Sequence, residues 1–120
     1  MLGIGGGGDV VGALAVGRFC ESLGTEFVLG GVPWERFVID PNPGPRSIGE
    51  IRGGRRLGDA ALLADEETTT PDGILFSESG MAAHLGTPTV LVEVSRGPGP
   101  AAEGVVAAAE AIDCDLAIYV

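Results

Sequence analysis

The feature that most constrains this chain is a run of glycines near its start, GIGGGGDVVG at residues 3–12. Five of the six residues at 3–8 are glycine, the residue that loses most conformational freedom on folding. The run therefore indicates backbone shapes or close approaches that a side chain would block. A short apolar segment at 2–4 precedes it and another follows Asp9, so the pattern predicts a strand, a glycine turn and a helix, in that order.

Short apolar runs alternate with helix-like segments along the rest of the chain. We expect strands at 25–31, 59–64, 89–94 and 116–120, and helices at 10–23, 77–84 and 99–111. Asp9 is expected to cap the first helix, and Ser77 or Ser79 the second. Strands that are apolar at nearly every position predict a single α/β domain over residues 1–120: a Rossmann-like, mostly parallel sheet with helices on both faces. The terminal strands are short, so we expect the sheet to be incomplete and the chain truncated at both ends.

The charge balance narrows the choice of partners. Acidic residues number 17 and basic residues 7, a net charge of −10, and all the basic residues are arginine. This surface disfavours nucleic acid and anionic membranes, and the lack of lysine excludes a Walker-type phosphate lysine and a Schiff base. The two cysteines lie far apart, and neither a leader nor a membrane span is recognisable, which favours a soluble cytoplasmic protein. An exposed terminal strand also leaves a homo-oligomer open.

The glycine loop is the first candidate site. Gly3, Gly5 and Gly8 fit G-x-G-x-x-G, and Gly6 and Gly7 make the loop more permissive. At the start of a helix, free N–H groups attract phosphate or carboxylate. Tight strand-to-helix packing without a ligand is the alternative.

Asp9 has two possible roles, as a helix cap or as a ligand of Mg²⁺ that meets the bound anion. NAD or FAD is disfavoured, because the acid expected at the end of the second strand is missing and Glu26 lies at that strand's beginning. A dinucleotide-binding oxidoreductase stays as a further alternative.

Other candidates follow the later strands, since ligands gather at the carboxyl ends of parallel strands. Arg36 and Arg96 are suited to phosphate or carboxylate, and Glu35 to a metal or an arginine. Trp34 either packs or stacks on a ligand, and Glu35 with Arg36 is alternatively a plain surface pair. The acidic run at 65–67 is expected to be a solvated loop or to supply a metal ligand.

Two functional classes are consistent with these residues. One is a Mg²⁺-dependent enzyme acting on a small phosphorylated or carboxylated metabolite or a nucleotide. The other is a non-catalytic ligand-binding or regulatory domain with the same anion site.

Several motifs resemble one family in the same order along nearly the whole chain. They are GIGGGGDVVGA, FVLGG, VPWERFVIDPNPGPR and TPDGILFSES. Together they resemble the DUF1152 family of archaeal and actinobacterial proteins, whose activity is unassigned. The resemblance implies a longer protein of which this chain is the N-terminal part, and it leaves the chemistry open.

Overall fold

Three helices and a four-stranded sheet form the chain in a computed structural model that describes residues 1–120. In chain order the elements are α1 (Asp9–Ser22), β1 (Gly30–Gly31), β2 (Arg55–Arg56), β3 (Ala61–Ala64), α2 (Ser77–Leu85), β4 (Thr89–Val92) and α3 (Pro98–Ala111). The predicted α/β class is confirmed, and the three predicted helices begin and end within a residue or two of the observed ones. None of them has the length and apolar character that crossing a bilayer requires.

The sheet is mixed rather than mostly parallel. Its strand order is β1-β4-β3-β2; β1 runs parallel to β4, whereas β3 runs antiparallel to both of its neighbours. The prediction of a mostly parallel sheet is therefore wrong. The predicted terminal strands contribute single parallel bridges, from Leu2 to Gly30 and to Tyr119.

The direction of β3 follows from its two connections. Only four residues separate β2 from β3, and so short a link joins antiparallel strands. Between β3 and β4 the chain runs the length of the strands twice, once along residues 65–76 and once back along α2. It therefore returns to the end of the sheet at which β3 finishes. Ala64 at the end of β3 accordingly pairs with Thr89 at the start of β4. The predicted parallel arrangement treats this connection as a single crossing.

Helices cover both faces of the sheet, as predicted. Leu62 and Leu91 are partners across β3 and β4, and they pack on one face with Ile48 and Phe76. Further along that face, α1 and α2 pack around Leu29. On the opposite face, Ala61 of β3 and Val90 and Val92 of β4 pack against Ala108 of α3. The alternation of side chains along each strand produces these two cores.

The amino ends of all three helices lie at the end of the sheet where β1 and β4 finish. The helices α1 and α3 follow Leu2 and β4, whose carboxyl ends point to this edge, and α2 starts where the chain has returned to it. Ser77 at the start of α2 lies beside Gly7, and Pro98 at the start of α3 lines a cavity with Gly3. Three positive helix ends are therefore directed to the same region.

Candidate functional site

The glycine loop before α1 has backbone amides without hydrogen-bond partners. Gly7 has φ +55° and Gly8 has φ −94°. Alternating left-handed and right-handed residues turn successive N–H groups toward one side, which creates a concavity for an anion. Five N–H groups here donate to no acceptor in the chain: those of Gly5, Gly6, Gly7, Asp9 and Val10.

Close contacts explain most of the glycines in the loop. A β carbon on Gly3 would stand 2.6 Å from the backbone of Asp9, and one on Gly6 would stand 3.0 Å from the carbonyl oxygen of Trp34. One on Gly5 would overlap the carboxylate of Asp9. Gly8 differs, because it has ordinary φ and no neighbour within 4 Å of its β-carbon position. The fold therefore gives no reason for glycine at position 8.

Asp9 is the first residue of α1 and not its cap. The N-cap is Gly8, and no side chain makes a capping hydrogen bond. The predicted cap is therefore wrong, because the carboxylate turns toward Gly5 instead of the helix amides. Asp9 is exposed, so its carboxylate is accessible to a ligand at the loop.

Trp34 and Arg36, from the connection after β1, border the same loop. The indole of Trp34 lies against Gly6 and stays 41% exposed. The Nε of Arg36 would be 3.5 Å from a β carbon on Gly7, and the exposed guanidinium forms no salt bridge. An unpaired guanidinium beside unpaired amides is an arrangement that favours an anion.

Glu35 points the other way, into the protein. It is 1% exposed, and its Oε1 accepts a hydrogen bond of 2.5 Å from the N–H of Ser77. This carboxylate takes the place of a cap for α2, so the predicted cap by Ser77 or Ser79 is wrong; the N-cap is Phe76. The Oε2 of Glu35 is buried without a hydrogen-bond partner. The surface-pair alternative therefore does not hold for Glu35.

A second buried carboxyl, Glu78, lies at the start of α2. It is 1% exposed, its Oε2 also lacks a partner, and its side chain fills the space that a β carbon on Gly31 would occupy. Burial, with a smaller contribution from the charge of Glu35, raises the pKa of Glu78 from 4.5 to about 8. Sequence reasoning missed this residue. The available signal was a carboxylate two residues after the apolar segment 74–76, at a predicted helix start.

Arg96 is held away from the glycine loop. Its Nε donates to Glu93 at 3.0 Å, and its Nη2 donates to the carbonyl oxygen of Asp59 at 2.7 Å. Burial alone would raise the pKa of Glu93, but hydrogen bonds from Ser95, from the N–H of Ile48 and from Arg96, together with the charge of Arg96, hold it below its ordinary value. Arg96 therefore forms a salt bridge with the buried carboxylate of Glu93 in this structure.

The acidic residues at 65–67 lie at the opposite end of the sheet from the glycine loop, where β4 begins. They follow β3, which runs antiparallel to β4, and Asp65 and Glu66 line a pocket with Gly86 at the far end of α2. The expectation that they gather with the glycine loop is wrong. No three His, Cys, Asp or Glu side chains of the chain form a cluster suited to a metal.

An apolar cavity of about 270 Å³ borders the loop on the α3 side of the sheet. Gly3, Ile4 and Val32 line it, with Val92 from β4 and Ala101 from α3. Ligand cavities in proteins have this largely apolar lining with polar groups at one end. The free amides of the loop begin directly after Ile4.

The comparison with protein families matches the whole chain. The model described as "Protein of unknown function (DUF1152)" covers residues 1–120. The chain belongs to this family. A comparison with curated proteins finds no match, and a comparison with solved structures finds none either. Membership in DUF1152 confirms the resemblance seen in the sequence motifs.

Proposed function

We propose that this DUF1152 chain binds a small anion at the glycine loop: phosphate, a nucleotide or a carboxylate metabolite, together with Mg²⁺. The observation that carries the proposal is the row of five unpartnered amides at the start of α1 beside the free guanidinium of Arg36. The amides and the helix dipole supply directed donors, and the guanidinium supplies a full positive charge.

The glycine at position 8 favours a bound ligand, and not packing alone, as the reason for the glycine run. The other glycines of the loop have a neighbour that a β carbon would meet, whereas Gly8 has open space and an ordinary φ. Glycine at this position leaves the backbone accessible to a ligand that approaches the amides closely.

The apolar cavity favours an organic anion over free phosphate. It begins at Gly3 and Ile4, next to the amides, so one ligand can place its charged group on the loop and its apolar part in the cavity. A nucleotide or a carboxylate metabolite has both parts, and inorganic phosphate has only the first.

In this proposal, Mg²⁺ explains why an acidic residue, Asp9, lies beside a site for an anion. An exposed carboxylate beside the amides would repel a bare anion, but it would attract an anion that carries a divalent cation. We also place the protein in the cytoplasm; the two free cysteines, one of them exposed, are compatible with a reducing compartment.

Calorimetry with matched arginine variants tests the anion site. The probes are pyrophosphate, ATP, NAD and a dicarboxylate, each with and without Mg²⁺. Arg36→Gln should weaken the best ligand about ten- to a hundredfold, the usual loss for one charged contact. Arg55→Gln changes the same charge on the distant edge strand β2 and should leave affinity unchanged. Equal effects of the two variants, or no binding of any probe, would overturn the proposal.

Asp9→Asn separates the metal from the anion. It should weaken binding when Mg²⁺ is present and strengthen it in chelator, where the variant removes a charge that repels the bare anion. Product analysis after incubation of the bound probe with Mg²⁺ then distinguishes an enzyme, which turns the probe over, from a regulatory domain, which returns it intact.

A further inference from the structure

Two buried carboxyl groups at the start of α2 each have an oxygen that the fold does not use. The Oε2 atoms of Glu35 and Glu78 have no hydrogen-bond partner, and both residues are 1% exposed. Buried polar atoms are nearly always paired, so two orphaned oxygens at the start of one helix require an explanation.

Capping of α2 accounts for only part of this arrangement. The Oε1 of Glu35 accepts the N–H of Ser77, which explains a carboxylate at the helix start but leaves its second oxygen free. None of the salt bridges in the chain includes Glu35 or Glu78. Arg36 lies on the same loop, with its Nε 3.5 Å from the β-carbon position of Gly7, but it forms a salt bridge with neither carboxyl group.

We propose that the orphaned oxygens of Glu35 and Glu78 bind one divalent cation, Mg²⁺ or Mn²⁺, on the inner side of the glycine loop. Two carboxylates match the charge of such an ion, and oxygen atoms are its preferred ligands. The hydroxyl of Ser77 would be a third ligand of the metal. The β-carbon position of Gly7 lies 3.6 Å from the Oγ of Ser77 and 2.9 Å from the Oε2 of Glu35, so these two oxygens are on the same side of the loop.

Water and ligand oxygens fill the remaining positions around the ion. No further His, Cys, Asp or Glu joins the pair, and Mg²⁺ in proteins is usually held by one or two carboxylates and keeps several waters. The site is separate from Asp9, which is exposed and whose carboxylate turns toward Gly5. It also goes beyond the proposed function, because it requires no anion.

Metal titration in the absence of any anionic ligand tests this site. The full chain is treated with chelator, exchanged into chloride buffer and titrated with MgCl₂ or MnCl₂, with calorimetry for affinity and electron paramagnetic resonance to count free Mn²⁺. Glu35→Gln and Glu78→Gln each remove one anionic ligand and keep a carbonyl oxygen of similar shape. Glu103→Gln, at an exposed position of α3, is the charge-matched control, and Asp9→Asn tests the separate loop carboxylate.

The wild type should bind one equivalent of metal, and each buried Gln variant should lose affinity by about tenfold or more. Glu103→Gln and Asp9→Asn should bind metal like the wild type. If one buried variant does not fold, the other variant and the wild-type stoichiometry decide. Absence of metal binding by the wild type, or equal binding by the folded buried variants, would overturn the proposal; a proton shared by the two carboxyls would then satisfy both oxygens. Neither result depends on whether the glycine loop binds an anion.

Discussion

The backbone of Gly7 lies against the carboxylate of Glu35: a β carbon at position 7 would stand 2.9 Å from Oε2. Gly7 also has φ +55°, a conformation that L-residues rarely adopt. The contact joins the loop before α1 to the connection after β1, so the shape of the loop and the position of the buried carboxylate depend on each other.

Serine substitutions at neighbouring glycines should differ in stability. Gly7→Ser forces a side chain into left-handed backbone, at about 1–2 kcal/mol, and pushes its β carbon toward Glu35. Gly8→Ser meets no neighbour within 4 Å and places a favoured residue at the N-cap of α1. Urea denaturation should therefore give a lower free energy of unfolding for Gly7→Ser and a nearly unchanged one for Gly8→Ser. Equal losses would show that the loop does not have this conformation.

An added carboxylate at Gly8 should weaken anion binding in chelator without unfolding the protein. Asp is a favoured residue at a helix start, so Gly8→Asp should keep its melting temperature. Its charge beside the free amides should reduce affinity for pyrophosphate or a nucleotide by about tenfold or more. Leu23→Asp, at the other end of α1, is the control with the same added charge, because Leu23 is exposed and has an ordinary φ of −96°. A ligand that binds both variants equally well is not at the loop.

Acid should destabilise the protein in part through Asp40. Burial alone would raise its pKa, but hydrogen bonds from Arg46 and the N–H of Asn42, together with the charge of Arg46, hold the pKa below 3.8. A carboxyl whose pKa is lower in the folded state stabilises the protein above the unfolded value and loses this contribution as pH falls through the folded value. The free energy of unfolding should therefore decrease below pH 3.8, and decrease less in Asp40→Asn.

The same variant should be less stable at pH 7, by about 1.5–3 kcal/mol, because Asp40 is buried and its partner Arg46 is largely so. Glu21→Gln removes the exposed pair with Arg18 and should cost less than about 1 kcal/mol. Identical pH profiles for the wild type and Asp40→Asn would contradict this assignment.

Helix positions could be predicted from the sequence because their signals are local. Gly86 has the left-handed conformation that ends α2, and Pro98 starts α3 at the position where its missing N–H is harmless. The direction of β3 could not be predicted in this way. It depends on residues 65–76 crossing back over the sheet, and nothing in an apolar run such as Ala61–Ala64 indicates which way it runs.

The site was predictable where it follows directly from the glycine motif. Trp34 and Arg36 do border the loop, because the segment at Leu2 and β1 are parallel neighbours whose carboxyl ends meet. Arg96 lies at the same end of the sheet, but it pairs with the buried carboxylate of Glu93. The burial of Glu93 depends on the packing of distant segments, so the sequence around it does not indicate this pairing. Glu78 was missed for the same reason, since its surroundings come from Gly31 in β1 and from Glu35 in the connection after β1.

Nuclear magnetic resonance of the loop amides tests anion binding most directly. The ¹⁵N-labelled chain is titrated with pyrophosphate, and then with a nucleotide, at constant ionic strength and with Mg²⁺ present. We predict large shifts with a common dissociation constant at the five free amides, from Gly5 to Val10, and little change at the distant amides of β2. Shifts confined to other regions, or no saturable shift at the loop for any probe, would contradict it.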